Sequence, residues 1–146
     1  MVSKEKKHLL ITLLGLTPPI AHLDVKSPNV LLVSCDPNSE ICAKLSDFGT
    51  SVPVTKPLLG TEVSNPVWLA PEILRQEMYD LAVDVYAFGV ILWELRSLRD
   101  FFGEINFFSA IHDRIVAGKR PKIPPSPEKF TRLVSLAWVI STSNLI

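Results

Sequence analysis

"HLDVKSPNVLL", residues 22–32, decides how the chain around it is read. Pro18 and Pro19 lie just ahead of it, and a proline keeps its preceding residue out of the helical region, so the chain enters as a loop. His22, Asp24, Lys26 and Asn29 sit on that loop, and the apolar run "VLLV" at 30–33 begins a strand. "SCDPNSEIC", 34–42, is rich in turn formers, and "AKLSDF", 43–48, returns as the second strand until Gly49 breaks it. A hairpin brings its ends together, which places Asp47 beside Asn29. Phosphoryl transfer needs residues of these types: a carboxylate to orient the acceptor hydroxyl, another to hold a metal, a further oxygen ligand and a cation. An acidic pair flanking a hairpin is not specific by itself, so order and spacing over the whole chain must decide.

Upstream, residues 4–16 are apolar on nearly every face and read as a buried helix. Lys4, Lys6 and Lys7 ahead of Leu9 to Leu16 imitate a signal peptide, but cleavage after Ala21 would leave His22 at the new N-terminus. Downstream, Thr50 to Asn65 holds neither period and reads as a long mobile segment. Helical pattern resumes at "LAPEILR", 69–75, and Leu81 to Leu95 is apolar nearly all round, as befits a helix in the middle of a domain. Asp84 near its start is the exception. A buried carboxylate must accept hydrogen bonds, so Asp84 is expected to hold backbone N–H groups of a neighbouring loop. The alternative is a surface charge facing the helix dipole. "FFSAIHDRIVAG", 107–118, reads as an amphipathic helix stopped by Gly118, "KRPKIPPSP" as extended chain, and Pro127 to Val139 as a last helix.

At 146 residues there is room for one domain, and 47% hydrophobic with 21% charged residues excludes a disordered chain. Fifteen basic residues balance fifteen acidic ones, so no net field draws nucleic acid or anionic membrane, and neither is expected as a partner. No apolar run approaches the ~20 residues of a membrane span. Cys35 and Cys42, with six residues between them, read as reduced thiols of a cytoplasmic protein, a disulfide being the alternative. Two sulfurs without a nearby histidine make a poor zinc site.

Four motifs follow one another in a fixed order. "HLDVKSPN" fits H-R-D-x-x-x-x-N at every place but Leu23; "DFG" follows at 47–49, "APE" at 70–72 and "DVYAFGVILWEL" at 84–95. Together they resemble the C-terminal lobe of a eukaryotic protein kinase, over most of the chain from about Leu9 to Trp138. "TPPIAHLDVKSPNVLL", "NPVWLAPEIL" and "GKRPKIPPSP" look most like the tyrosine-kinase-like group, many of whose members phosphorylate serine and threonine. The resemblance implies a mainly α fold with a small β-hairpin, residues 1–146 forming a partial kinase domain. It implies Asp24 as catalytic base, Lys26 steadying the transferred phosphate, and Asn29 and Asp47 as Mg2+ ligands. Leu31 would lie under the adenine of ATP, His22 and Phe48 would stack behind the site, and Asp84 would bind the backbone near His22. Lys26 favours a Ser/Thr acceptor on a protein substrate.

The departures carry expectations too. Leu23 stands where many kinases place an Arg that pairs with a phosphorylated activation segment, and Leu can make no such bond. That removes a switch and not the base. Asn65 stands where a Thr is common, and an amide can make similar hydrogen bonds. Only 21 residues precede His22, Gly15 is the sole glycine among them, and no Gly-rich loop or Val-Ala-Ile-Lys strand is present. The nucleotide would then have a floor and no roof, so the fragment by itself is expected to be inactive. Beyond Trp138, Leu145 falls where the family carries the Arg that pairs with the Glu of Ala-Pro-Glu, so Glu72 is expected to lack that partner. The expectation is a kinase C-lobe missing its N-lobe or upstream domains; a non-catalytic binding module or a partial gene model is the alternative.

Overall fold

The computed structural model describes residues 15–34, 42–60 and 65–139. The helix expected over 4–16 and the tip of the hairpin lie almost wholly outside them.

The central element is the helix α2, Ala82–Ser97, introduced after the single-turn α1, Pro71–Leu74. Val83, Tyr86, Val90 and Trp93 recur at helical spacing and are buried in the main core with Ile73, Phe101, Ile111, Ile115, Val134 and Trp138. On a second face, Ala87 and Ile91, four apart, pack on Val25 of the loop that carries Asp24. A helix that serves a core on one side and a functional loop on another has little polar face, which explains the sequence of Leu81 to Leu95. It ends where Leu98 turns left-handed, at φ 53°.

Two more helices flank it. α3, Phe108–Val116, buries Ile111 and Ile115 and exposes the polar side between them. The chain turns away at Gly118, whose φ of 73° suits glycine. Residues 119–127 form no regular element, and α4, Glu128–Val139, then packs Val134, Ala137 and Trp138 inward.

The strands are short. β2, Val30–Ser34, pairs antiparallel with β3, Cys42–Leu45, in the register Val30 to Leu45 and Leu31 to Lys44, with an irregularity between Leu32 and Ser34. The returning strand stops at Leu45, earlier than Phe48. Ser46 turns both its N–H and its hydroxyl to the Asn29 carbonyl, and Asp47 adopts φ 64°, which no strand accommodates. A second ladder joins β1, Ile20–Ala21, to β4, Val52–Pro53. Part of the segment expected to be mobile is therefore pinned, and Leu58 bridges to Tyr79 further along it. The fold is mostly helical with two small antiparallel pairs, where one hairpin was expected.

Gly89 sits where α2 and α4 come closest. A Cβ there would fall 2.7 Å from the Ala137 Cβ and 3.1 Å from the Trp138 ring, distances that force the helices apart. Gly89→Ala should destabilise the protein by roughly 1–3 kcal/mol, read as a lower urea midpoint at unchanged slope.

Candidate functional site

His22 is fully buried, and every polar group it owns is engaged. Its N–H donates to Asp84 Oδ2 at 2.6 Å, and its carbonyl accepts from the Thr50 hydroxyl at 2.9 Å and from that of Ser51 at 3.4 Å. On the ring, Nε2 faces the Ser46 carbonyl at 3.2 Å while Nδ1 accepts from the Asp24 N–H at 3.3 Å. A carbonyl can only accept, so the Nε2–H tautomer satisfies both contacts. Phe48 meets the ring edge-on at 4.7 Å between centroids. One residue thus joins the loop, the end of the hairpin and the start of the following segment.

Asp84 is 4% exposed, and one of its oxygens holds the His22 N–H. Its second oxygen accepts from the Leu23 N–H at 3.0 Å. Burial pushes its carboxyl up from the ordinary value, and the His22 and Leu23 N–H groups pull it back. Leu23, held by that bond, takes φ 65°, a conformation unfavourable for a bulky residue. The kink reverses the chain and leaves Asp24 facing a cleft of about 470 Å³, lined also by Leu23, Lys26, Thr50, Asn65 and Trp68.

Within the loop, Asp24 Oδ2 takes both polar contacts: Lys26 Nζ at 2.8 Å and Asn29 Nδ2 at 2.9 Å. Asn29 Nδ2 also donates to the Asp24 carbonyl at 2.9 Å. Among the described residues Oδ1 of Asp24 is left open. The Lys26 and Asp24 side chains are 32% and 28% exposed, so the ion pair adds little stability and serves geometry. Pro28 fixes the backbone of the 3-10 turn Ser27–Asn29 that carries the amide.

Leu31 and Asp47 do not line that cleft. Leu31 is 53% exposed on β2, compatible with an apolar floor. Asp47 is exposed beyond β3, with Oδ1 loosely accepting from the Gly49 N–H at 3.4 Å. Ser46, and not Asp47, makes the direct contacts to Asn29. With Asn29 Nδ2 turned to Asp24, its amide oxygen remains as an acceptor, and an amide oxygen and the Asp47 carboxylate are hard oxygen donors of the type that suits Mg2+. Among the described residues no group of three or more His, Cys, Asp and Glu could hold a metal, so such an ion would draw further ligands from phosphate and water. Glu72 is buried at the first turn of α1 and is not without a partner; position 145, where the family's Arg was expected to be missing, lies outside the described residues. Asn65 makes no hydrogen bond to Asp24; its side chain caps the next turn by accepting from the Val67 N–H at 3.1 Å.

Sequence reading missed Ser27, Trp68 and Glu94. Glu94 Oε2 accepts from the Ser27 hydroxyl and from the Trp68 indole N–H, the latter at 3.2 Å. A second carboxylate in an otherwise apolar helix was the available signal.

Residues 17–136 match the protein kinase domain family. The chain is 46% identical over 130 residues to the "Probable serine/threonine-protein kinase pats1" of Dictyostelium discoideum, covering 88% of this chain and 4% of that protein. It is 40% identical over 128 residues to the "Probable serine/threonine-protein kinase roco8" of the same organism, covering 85% of this chain and 7% of that protein. With the "Cyclic GMP-binding protein C", also of Dictyostelium discoideum, it shares 40% over 126 residues, 83% of this chain and 5% of that protein. The chain thus spans a small fraction of the length of these relatives.

Asp84→Asn tests what holds the loop. An amide offers one accepting oxygen where the carboxylate offers two, so either the His22 or the Leu23 N–H must face an NH2 group. The substitution should cost about 2 kcal/mol, measured by urea unfolding.

Proposed function

The chain belongs to the protein kinase domain family, and on that premise we propose that it carries the catalytic half of a Ser/Thr protein kinase of the tyrosine-kinase-like group. The observation that carries the proposal is the loop itself: Asp24 positioned by Lys26 at 2.8 Å and Asn29 at 2.9 Å, with one oxygen open toward the cleft. Asp24 orients the acceptor hydroxyl and takes its proton, while Lys26 balances charge beside it. Asn29 and Asp47 hold Mg2+, and Leu31 supports the adenine. Bound Mg2+ and ATP supply the phosphoryl group and the neutralisation of its charge. The acceptor is a serine or threonine of a protein, a choice supported by Lys26 and by the names of the relatives, and the setting is cytoplasmic.

The residues that cover the triphosphate are proposed to come from polypeptide outside these 146 residues, so that this stretch is a C-lobe without its own roof. A second reading, a binding module, is favoured by one observation: Leu31, Leu32 and Val33, which alternate between the two sides of β2, are 53%, 59% and 58% exposed, apolar surface suited to another polypeptide.

Sequencing the native transcript through both ends of the reading frame should reveal a Gly-rich loop and its lysine strand upstream. In the product that carries them, transfer from γ-labelled ATP to a Ser/Thr peptide should require Mg2+. Asp24→Asn should lower its rate by roughly 10²–10⁴-fold while leaving the free energy of unfolding in urea within about 1 kcal/mol of the parent value. Nucleotide binding without transfer in the complete product would instead support the binding module.

A further inference from the structure

The far end of α2 holds the irregular segment 119–127 through side chains. The Trp93 indole N–H donates to the Lys122 carbonyl at 3.1 Å, and three residues on Arg96 reaches the same segment. Arg96 Nε–H donates to the Ser126 hydroxyl at 2.9 Å, and its Nη2 donates to the Pro125 carbonyl. Ser126 gives its own hydroxyl proton to the Pro124 carbonyl at 2.8 Å. Arg96 is exposed, Ser126 is half-buried, and Pro125 and Pro127 on either side of the serine are exposed. The hydroxyl therefore sits on accessible, non-helical chain just ahead of α4, with a guanidinium already against it. A guanidinium carries five N–H donors, and a phosphate is the acceptor that its fork suits best. Ser126 is followed by Pro127, and a proline brings no N–H that an enzyme's acceptor pocket would leave unpaired. Ser27 with Pro28 is the other Ser-Pro pair, but the Ser27 hydroxyl is taken up by Glu94 inside the loop.

We propose that Ser126 is a phosphorylation site for a proline-directed Ser/Thr kinase, and that Arg96 is the cation that receives the phosphate. The chain is here the acceptor, so the proposal stands apart from its own phosphoryl-transfer reading. In the transfer, Ser126 Oγ forms a bond to the γ-phosphorus of ATP and the bond from that phosphorus to the β,γ-bridging oxygen breaks. ADP leaves, and the hydroxyl proton passes to the base of the modifying kinase. Ser126 loses the bond it gave to Pro124 and gains a charge of about −1.5 to −2, whose oxygens take charge-assisted bonds from Arg96. Glu128, two residues on, is exposed, so its repulsion is screened. The modified segment 119–127 is then tied more tightly to the helix that holds Asp84 and the loop.

The test treats the full chain with a mitogen-activated protein kinase and Mg2+–ATP. Phosphopeptide mapping should place a phosphate on Ser126 and none on Ser27, and Pro127→Ala should lower incorporation at Ser126 about tenfold or more. In 1H–15N spectra, the Arg96 Nε–H cross-peak, assigned by Arg96→Lys, should move on phosphorylation of the unsubstituted chain. The thermal midpoint should rise by roughly 2–4 °C, a rise absent from Ser126→Ala treated in the same way. Two results overturn the proposal. One is a folded chain in which Ser126 takes up no phosphate while a peptide spanning it does. The other is a phosphorylated Ser126 that leaves both the Arg96 cross-peak and the thermal midpoint where they were.

Discussion

Two consecutive backbone N–H groups, those of His22 and Leu23, are held by the two oxygens of one buried carboxylate, and the site depends on that arrangement. A left-handed Leu costs about 1–2 kcal/mol and persists only where the surroundings overdetermine it. Asp84 supplies the determination from a helix that is itself fixed in the main core by Tyr86, Val90 and Trp93. The helix is rigid because its core face is packed, and the loop is rigid because the helix presents Asp84, Ala87, Ile91 and Glu94 to it. Removing Asp84 from water disfavours its charge, while the two N–H donors favour it. The balance lets the protein keep a carboxylate where a hydrophobic residue would pack more simply but could accept nothing.

The polar contacts of Asp24 come from within its own loop and fix how its carboxylate is held. Both partners fall on Oδ2, so its two oxygens are inequivalent: one is occupied, the other open. Asn29 reinforces the asymmetry by donating twice, to the side chain and to the carbonyl of the same residue. The amide can do so because Ser46 fastens the Asn29 carbonyl through its N–H and its hydroxyl, both at 2.9 Å. The hairpin therefore acts as a splint for the loop. Asp47 follows where the chain leaves the strand.

Much of this was legible in sequence where the signal was local or strongly patterned. The all-round apolar run from Leu81 to Leu95 gave a buried helix, and Asp84 inside it required hydrogen-bond donors from elsewhere. Turn formers between "VLLV" and "AKLS" gave the hairpin. The pairing of Ile20–Ala21 with Val52–Pro53 was not legible, because two-residue strands carry no period and their bond depends on where His22 is held. The early end of β3 was hidden for a related reason: nothing in "KLSDF" says that Ser46 will turn to Asn29. Glu94 escaped because its two donors lie 67 and 26 residues away, and only the fold brings them to one oxygen.

Leu23 shows how a local change can leave a site intact. An Arg at that place would tie the loop to a charge on the following segment. Here that segment is already fastened to the loop, through the Thr50 and Ser51 hydroxyls on the His22 carbonyl and through the ladder of β1 with β4. The Leu23 side chain packs against the main core. Its backbone still makes the bond to Asp84 that any residue but proline could make, so the kink survives the loss of the guanidinium. What holds Asp24 toward the cleft is main-chain geometry, the Leu23 N–H on Asp84 and the left-handed φ of 65°, and neither depends on the side chain at position 23.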